Sequence, residues 1–274
     1  MLITNDAALF IYLPLVASIE SVWGVDLLSL YVVTTISVNV LSALTPIGNP
    51  QNLFLWQHYA LGFAEFVVGL APFTGVATAI LLIYALTLAT RIERCSKPPP
   101  PPPVRVNRIL AASSVAMLAA LVALTHLGVS WAALPLAVAL SVAVSPTVLK
   151  GLDIPLLAVF ALMFLDFGEL ATLLHNLLNP FLTSPLITML VAVALSQAIS
   201  NVPAAIILSS TPRKLWRYIA IGVNLGGTGF ILGSLANLIL LRLTRVGLRD
   251  YHRYALPYFI ALLMLTLLLS SAGT

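Results

Sequence analysis

The sequence predicts an all-α polytopic membrane protein built as two inverted repeats, each with a re-entrant hairpin and a broken transmembrane helix. Three observations lead there. Of 274 residues, 60% are hydrophobic and only 8% charged, with a mean hydropathy of +1.06. A soluble domain carries about 25% charged residues and at this composition would expose large apolar patches. The few charges cluster, leaving runs long enough to cross a bilayer, and a polar-studded segment of the first half recurs in the second.

The elements follow from those runs. Stretches without Asp, Glu, Lys or Arg lie between Asp26 and Glu65, Glu65 and Arg91, Arg108 and Lys150, Glu169 and Arg213, Arg217 and Arg242, and after Arg253. A spanning helix needs about 20 apolar residues. Residues 109–149 therefore predict two helices divided near "LGVSW" (127–131), and 154–168 predict a short span interrupted by Asp166. The stretch 170–212 carries Pro180, Pro185, Pro203 and Pro212. As one straight helix it would run about 65 Å, twice the hydrocarbon thickness, so it predicts a re-entrant hairpin with Ser200 and Asn201 at its tip. Trp23, Trp56, Trp131 and Trp216 all fall near predicted span ends, where amphipathic rings favour the interface.

Sliding residues 38–72 along the chain brings them without a gap onto 223–257. Val38 meets Val223, Asn39 meets Asn224, Gly48 meets Gly233, Asn52 meets Asn237, Gly62 meets Gly247, Glu65 meets Asp250 and Pro72 meets Pro257. Coincidences of Asn, Gly, Pro and an acid carry weight because such residues are unfavourable in a bilayer. Gln57, Ala60 and Ala64 become Arg242, Arg245 and Arg249 in the second copy. The matching loops thus differ in basic charge and are expected on opposite sides of the membrane, so the copies are inverted. With 91–108 in the cytoplasm, Lys150 and 242–253 also fall inside, and Arg213, Lys214 and Arg217 outside. The predicted organisation is a first repeat over 1–95, a cytoplasmic proline-rich linker over 96–106, and a second repeat over 107–274. Pro98–Pro103 form a stiff polyproline spacer of about 3.1 Å per residue.

Within the first copy, "TPIGNPQN" (45–52) breaks an otherwise apolar span; "GGTGFILGSLAN" (226–237) does so in the second. Unwound backbone inside a bilayer survives only when buried in protein or lining a polar cavity, and paired breaks in inverted halves mark a transporter's binding site. Thr45, Gly48, Asn49, Asn52, Thr228, Gly233, Ser234 and Asn237 are the candidate ligands there, with Asn39, Asn224, Pro46, Pro50 and Pro203 in support. The alternative is plain close packing around Gly229-xxx-Gly233. Each break has an upstream companion: Thr4, Asn5 and Ala8 match Ser200, Asn201 and Ala204 at a spacing of 196. Thr4, Asn5, Asp6, Ser200 and Asn201 complete the expected site as hairpin tips. Asp6, a carboxylate at such a tip, suits either a bound Na⁺ or a carried proton; the alternative is a water-exposed terminus.

"TNDAALFIYLPL", "SALTPIGNPQNLFL", "SQAISNVPAAIILSS" and "NLGGTGFILGSLANLI" resemble the signature segments of the ion transporter superfamily, which includes arsenite permeases, D-type sodium/proton antiporters and sodium-coupled citrate and dicarboxylate carriers. The resemblance implies two inverted repeats, each a scaffold plus a mobile unit, and elevator-type alternating access. It implies secondary transport of a small inorganic or organic anion, or Na⁺/H⁺ exchange, coupled to Na⁺ or H⁺ with Na⁺ expected at the hairpin tips. The tips read Thr4-Asn5-Asp6 and Ser200-Asn201-Val202, closer to the arsenite-permease and antiporter branch than to the Ser-Asn-Thr tips of dicarboxylate carriers. The second half has three spans and a hairpin arm before its tip, and the first half has no counterpart before Thr4. The expectation is a chain lacking three helices and one arm of its first repeat. Its partners are then the bilayer, a small ion, and either a second copy or a chain supplying the missing helices. The alternative function is a non-transporting, partner-dependent membrane subunit.

Other classes are disfavoured. The net charge of +4 comes from loop residues and does not point to nucleic acid. The single cysteine, Cys95, admits no internal disulfide, and His58, His126, His175 and His252 lack metal-ligand spacing. No organic cofactor is expected. There is no HExxH, GxSxG or ATP-binding signature, which argues against an enzyme or a primary pump. Asp166 and Glu169 read as the outer end of a span or, alternatively, a proton relay. The expected location is the plasma membrane, crossed several times.

Overall fold

The computed structural model describes residues 4–90, 108–126, 129–144 and 184–272, with isolated positions from 146 to 182. Among them every regular element is helical. The chain divides into two compact units, one of residues 100–161 and one of residues 1–99 with 162–274. In the smaller, helices α5 (Arg108–His126) and α6 (Ala133–Val144) pack together across a 3₁₀ turn, Ser130–Ala132, at the predicted division. The polyproline spacer, Cys95 and seven of the fifteen positions 154–168 lie outside the described residues; Asp166 and Glu169 are exposed.

The larger unit holds the rest: α1 (Asn5–Trp23), α2 (Leu28–Ser42), α3 (Pro50–His58), α4 (Phe63–Ala89), α7 (Pro185–Ile199), α8 (Asn201–Leu208), α9 (Trp216–Gly226), α10 (Leu235–Leu243) and α11 (Leu248–Ala272). Local chemistry sets their ends. Thr4 caps α1 by accepting from the Ala7 N–H, and Gly24 closes it in the left-handed region at φ 64°. Asn49 caps α3, which opens on Pro50, and Ser184 caps α7, which opens on Pro185; both prolines sit where a helix needs no N–H. Helices α1, α4 and the Leu248–Ser270 part of α11 are long and apolar enough to cross a membrane. At 27 residues, α4 would span about 40 Å at 1.5 Å per residue.

The helix ends respect the repeat. Adding 185 to the bounds of α3 gives those of α10, and adding 185 to Phe63, where α4 begins, gives Leu248, where α11 begins. These last two helices run antiparallel. Tyr84, late in α4, donates to the carbonyl of Tyr254, early in α11, at 2.9 Å, and Tyr258 donates to the Ala77 carbonyl at 2.9 Å. Pro72 and Pro257 lie inside these helices without ending them.

Apolar packing forms two clusters. The larger joins α1, α2, α4, α10 and α11 through Leu9, Leu13, Ile36, Tyr251, Tyr258 and Leu262. The smaller joins α3, α8 and α9 around Trp56, Phe66, Leu208, Trp216 and Ile219. Two tryptophans therefore depart from the interface expectation. Trp56 meets Phe63 edge-on at 6.1 Å, and Trp216 stacks on Phe66 at 5.3 Å in space left by Gly69. Trp23 and Trp131 remain exposed. Ion pairs tie the loops: Arg213 forks onto both Glu65 oxygens, and Arg245 bridges Glu20 (2.7 Å) and Asp26 (3.2 Å). Hydrogen bonding to Glu20 pushes the Arg245 pKa above its ordinary value.

Candidate functional site

Both predicted breaks are real interruptions. Between α2 and α3 the chain passes through turns at 43–49, and between α9 and α10 through turns and the 3₁₀ segment Ile231–Gly233. Helices α7 and α8 pack against each other across Ser200, whose φ of 80° turns the chain at the predicted tip. The short helices on either side of each break leave N–H and C=O groups that an unbroken helix would have paired. Side chains of the same copy take up several of them, and Asn39 of the first copy reaches the Gly227 carbonyl of the second at 3.2 Å.

The pairing is reciprocal. Asn39 of α2 donates from Nδ2 to Asn237 Oδ1 of α10 at 3.1 Å. Its counterpart Asn224 of α9 donates from Nδ2 to Asn52 Oδ1 of α3 at 2.7 Å. The cap residues repeat the exchange: Ser234 Oγ donates to Asn39 Oδ1 at 3.3 Å, and Asn49 Nδ2 donates to Asn224 Oδ1 at 3.0 Å. Each half also ties down its own break. Asn52 Nδ2 reaches the carbonyls of Ala43 and Thr45, and Asn237 Nδ2 those of Gly227 and Phe230. Thr45 and Phe230 occupy equivalent positions 185 residues apart. Asn39, Asn49, Asn52, Asn224, Ser234 and Asn237 are all buried.

The tips join from the side. The Asn5 N–H donates to the Gly48 carbonyl at 2.8 Å, and Asn5 Nδ2 to Asn39 Oδ1 at 3.4 Å. Asn201 stands against Gly227, where a Cβ would lie 3.1 Å from its Nδ2. Asn5 Oδ1, Asp6 Oδ1 and Gln51 Oε1 are buried acceptors without a hydrogen-bond partner among the described residues. Gly48 is required by its neighbours, since a Cβ there would collide with the Ser42 carbonyl. Of the remaining predicted residues, Gly233 and Thr228 are buried in the second break, and Thr228 donates to the Leu225 carbonyl at 2.7 Å. Pro46 is buried, Pro50 opens α3, and Pro203 is buried within the first turn of α8. Thr4 is exposed and Thr45 and Ser200 are half-buried, so these three border the network.

Sequence reasoning missed four participants. Gln197 straps the second break, donating to the Gly226 carbonyl at 2.7 Å and accepting from the Phe230 N–H at 2.6 Å. Ser42 accepts from Asn49 at 3.1 Å and Gln51 approaches Asn224 at 3.4 Å, while Ser196 reaches the carbonyls of Val223 and Gly233. The signal for Gln197 was present: an uncharged amide within a bilayer-length run, three residues before Ser200. The second break's glycines have a packing duty too. Added Cβ atoms on Gly222 and Gly226 would lie 2.5 Å from the Cβ atoms of Ala192 and Ser196, so α9 and α7 meet nearly backbone to backbone.

Helices too short to span, broken around buried uncharged amides within an apolar bundle, define the construction of a membrane transporter. The chain belongs to the citrate transporter family, whose model matches residues 1–213. It is 34% identical over 271 residues to the inner membrane protein YbiR of Escherichia coli, covering 93% of this chain and 69% of that one. It is likewise 34% identical over 255 residues to the uncharacterized transporter MJ0456 of Methanocaldococcus jannaschii, covering 90% and 68%. The protein is thus an integral plasma-membrane transporter and not an enzyme.

Proposed function

We propose that the chain is an ion-coupled secondary carrier of a small anion, held where the two helix breaks meet. The observation that carries this is the reciprocal exchange Asn39–Asn237 and Asn224–Asn52. It supports two oppositely oriented repeats converging on one pocket, because each copy's asparagine bonds the asparagine that ties down the other copy's break. Amide side chains can trade a partner amide for a substrate oxygen without moving charge through the bilayer. The starts of α3, α8 and α10 supply free N–H groups with the positive end of the helix dipole toward an anion. A small carboxylate, of which citrate is the family's named example, is the first substrate to test, ahead of inorganic oxyanions such as arsenite.

Coupling falls to the other side of the network. Asn5 Oδ1 and Asp6 Oδ1 are buried acceptors lacking donors, a set that favours Na⁺ or a proton. In this reading the hairpin α7–α8, α1 and the broken helices move together as the substrate-carrying unit. A Na⁺/H⁺ exchanger is the second reading, favoured by the same Asp6. Purified protein in liposomes decides among them. Saturable citrate uptake driven by an inward Na⁺ or proton gradient, lost in Asn39→Leu and Asn224→Leu, supports the carrier. Gradient-driven Na⁺ efflux with no anion flux supports exchange. Absence of either flux in monodisperse protein defeats both and leaves the partner-dependent subunit.

A further inference from the structure

Both breaks contain the same tight turn, yet they dispose of one backbone group differently. In the first the Gly48 N–H donates to the Thr45 carbonyl at 3.2 Å, and 185 residues on the Gly233 N–H donates to the Phe230 carbonyl at 2.9 Å. The residue after the accepting carbonyl is Pro46 in one copy and Ile231 in the other. A turn or short helix leaves the N–H at that position without a local acceptor. Proline suits the position and has no N–H to satisfy. Isoleucine has one, and it donates to Nε2 of His252 on α11 at 3.3 Å. The repeat equivalent of His252 is Val67 on α4, an apolar residue in the copy whose turn has no such N–H to hold.

We infer that His252 is a positioning residue of the second break, through which α11 sets the turn leading into Ser234 and Asn237. The imidazole is itself fixed. Nδ1 lies 2.7 Å from the Leu248 carbonyl one turn earlier on α11; a carbonyl only accepts, so Nδ1 carries the proton and Nε2 is left as the acceptor. Phe230 meets the ring edge-on at 5.6 Å and Tyr251 at 5.3 Å. Two other struts hold the same turn. Gln197 of the hairpin accepts from the Phe230 N–H, and Asn237 of α10 donates to the Phe230 carbonyl. His252 adds a third from α11, at the next residue. The pairs Ile231–His252 and Pro46–Val67 are thus two solutions of one problem: supply an acceptor, or delete the donor.

That His252 thereby serves a substrate site rests on the proposed function; that it holds the turn does not, because hydrogen–deuterium exchange of backbone amides is read without any flux. The full chain is placed in lipid nanodiscs. His252→Phe keeps a ring and removes the acceptor. His252→Gln removes the ring and keeps an acceptor the same number of bonds from Cα as Nε2. In His252→Phe, exchange across residues 228–234 is expected to quicken about tenfold, with 43–49 within about twofold of wild type. His252→Gln should stay within about twofold of wild type at both breaks. Ile231→Pro deletes the donor as Pro46 does, and the ψ of 159° at Phe230 is the extended backbone that a residue before proline adopts. On that background His252→Phe should alter exchange of the remaining amides by less than about twofold. Unchanged exchange in His252→Phe overturns the proposal. So does His252→Gln exchanging as fast as His252→Phe, which makes ring packing the role. So does quickening at both breaks alike, which means general loosening, or an undiminished effect of His252→Phe beside Ile231→Pro. If the proline variant is not monodisperse, the contrast between His252→Phe and His252→Gln decides alone.

Discussion

Removing Asn224 by Asn224→Leu tests whether the cross-repeat amides hold the breaks together. Leucine nearly matches asparagine in shape, so the loss is hydrogen bonds rather than volume. Asn224 donates to Asn52 Oδ1 at 2.7 Å and to the Ala220 carbonyl at 2.8 Å, and accepts from Asn49 Nδ2 at 3.0 Å. Asn49 keeps its bond to Ser42, so the groups left bare are Asn52 Oδ1 and, at a longer 3.4 Å, Gln51 Nε2. A buried acceptor stripped of its donor costs about 1–3 kcal/mol. Hydrogen bonds between membrane helices average only about 0.6 kcal/mol, because the unfolded chain in lipid also finds partners. Asn52 is wholly buried in protein, so the larger range should prevail, at about 1–2 kcal/mol.

The double-mutant cycle isolates that term. If Asn224→Leu mainly orphans Asn52, adding Asn52→Leu removes the orphan, and the two losses should fall short of additivity by about 1 kcal/mol. Unfolding titrated with a denaturing detergent in mixed micelles measures it. The mirror cycle, Asn39→Leu with Asn237→Leu, should give a coupling of the same sign and similar size. Additivity within about 0.3 kcal/mol in both cycles would refute the cross-repeat pairing as the element that secures the breaks.

Further outcomes follow from single positions. Gly48→Ala should lower the yield of monodisperse protein sharply, since its Cβ meets the Ser42 backbone rather than a movable side chain; wild-type yield on size exclusion would contradict that. Gly226→Val should cost about 1–3 kcal/mol by overpacking α7 against α9, measured by the same detergent titration. Asp6→Asn should leave the fold intact while abolishing the dependence of uptake on the Na⁺ or proton gradient, and unchanged gradient dependence would remove Asp6 from coupling. Arg213→Ala should change stability by less than about 1 kcal/mol, because its pair with Glu65 is half-exposed on both sides.

The breaks, the tips and most of the buried amide network were legible because a bilayer makes polar residues conspicuous. Asn39, Asn49, Asn52, Asn224 and Asn237 stand out in runs that otherwise exclude hydrogen-bonding groups, and their spacing survives duplication. What could not be read was who bonds to whom. Periodicity places Asn39 on α2 and Asn237 on α10, but only the packing of two copies makes them partners. Gln197 escaped notice because its role is to mend a break 29 residues away, a relation without local periodicity. Trp56 and Trp216 were misplaced for a related reason: span ends that dock on another helix lie in a core, and sequence alone does not separate such an end from one at the lipid surface.

On the proposed carrier reading, amides rather than charges suit a site that moves. A lysine or arginine at the breaks would bind an anion more strongly, but would then need its own neutralising partner at every stage of the cycle. An amide donates and accepts at once, so on the proposed reading Asn39 and Asn224 can hold Asn237 and Asn52 and turn the same groups toward substrate when it arrives. Charge is instead kept at the margins, in Asp6 beside the network and in the Arg213–Glu65 and Arg245–Glu20–Asp26 clusters of the loops. On the proposed reading the amides would set where the anion sits, and Asp6 would sense the coupling ion. Replacing Asn39 or Asn224 by aspartate would set a buried carboxylate against the acceptors their amides now serve, so in the detergent titration it should destabilise the protein more than leucine does.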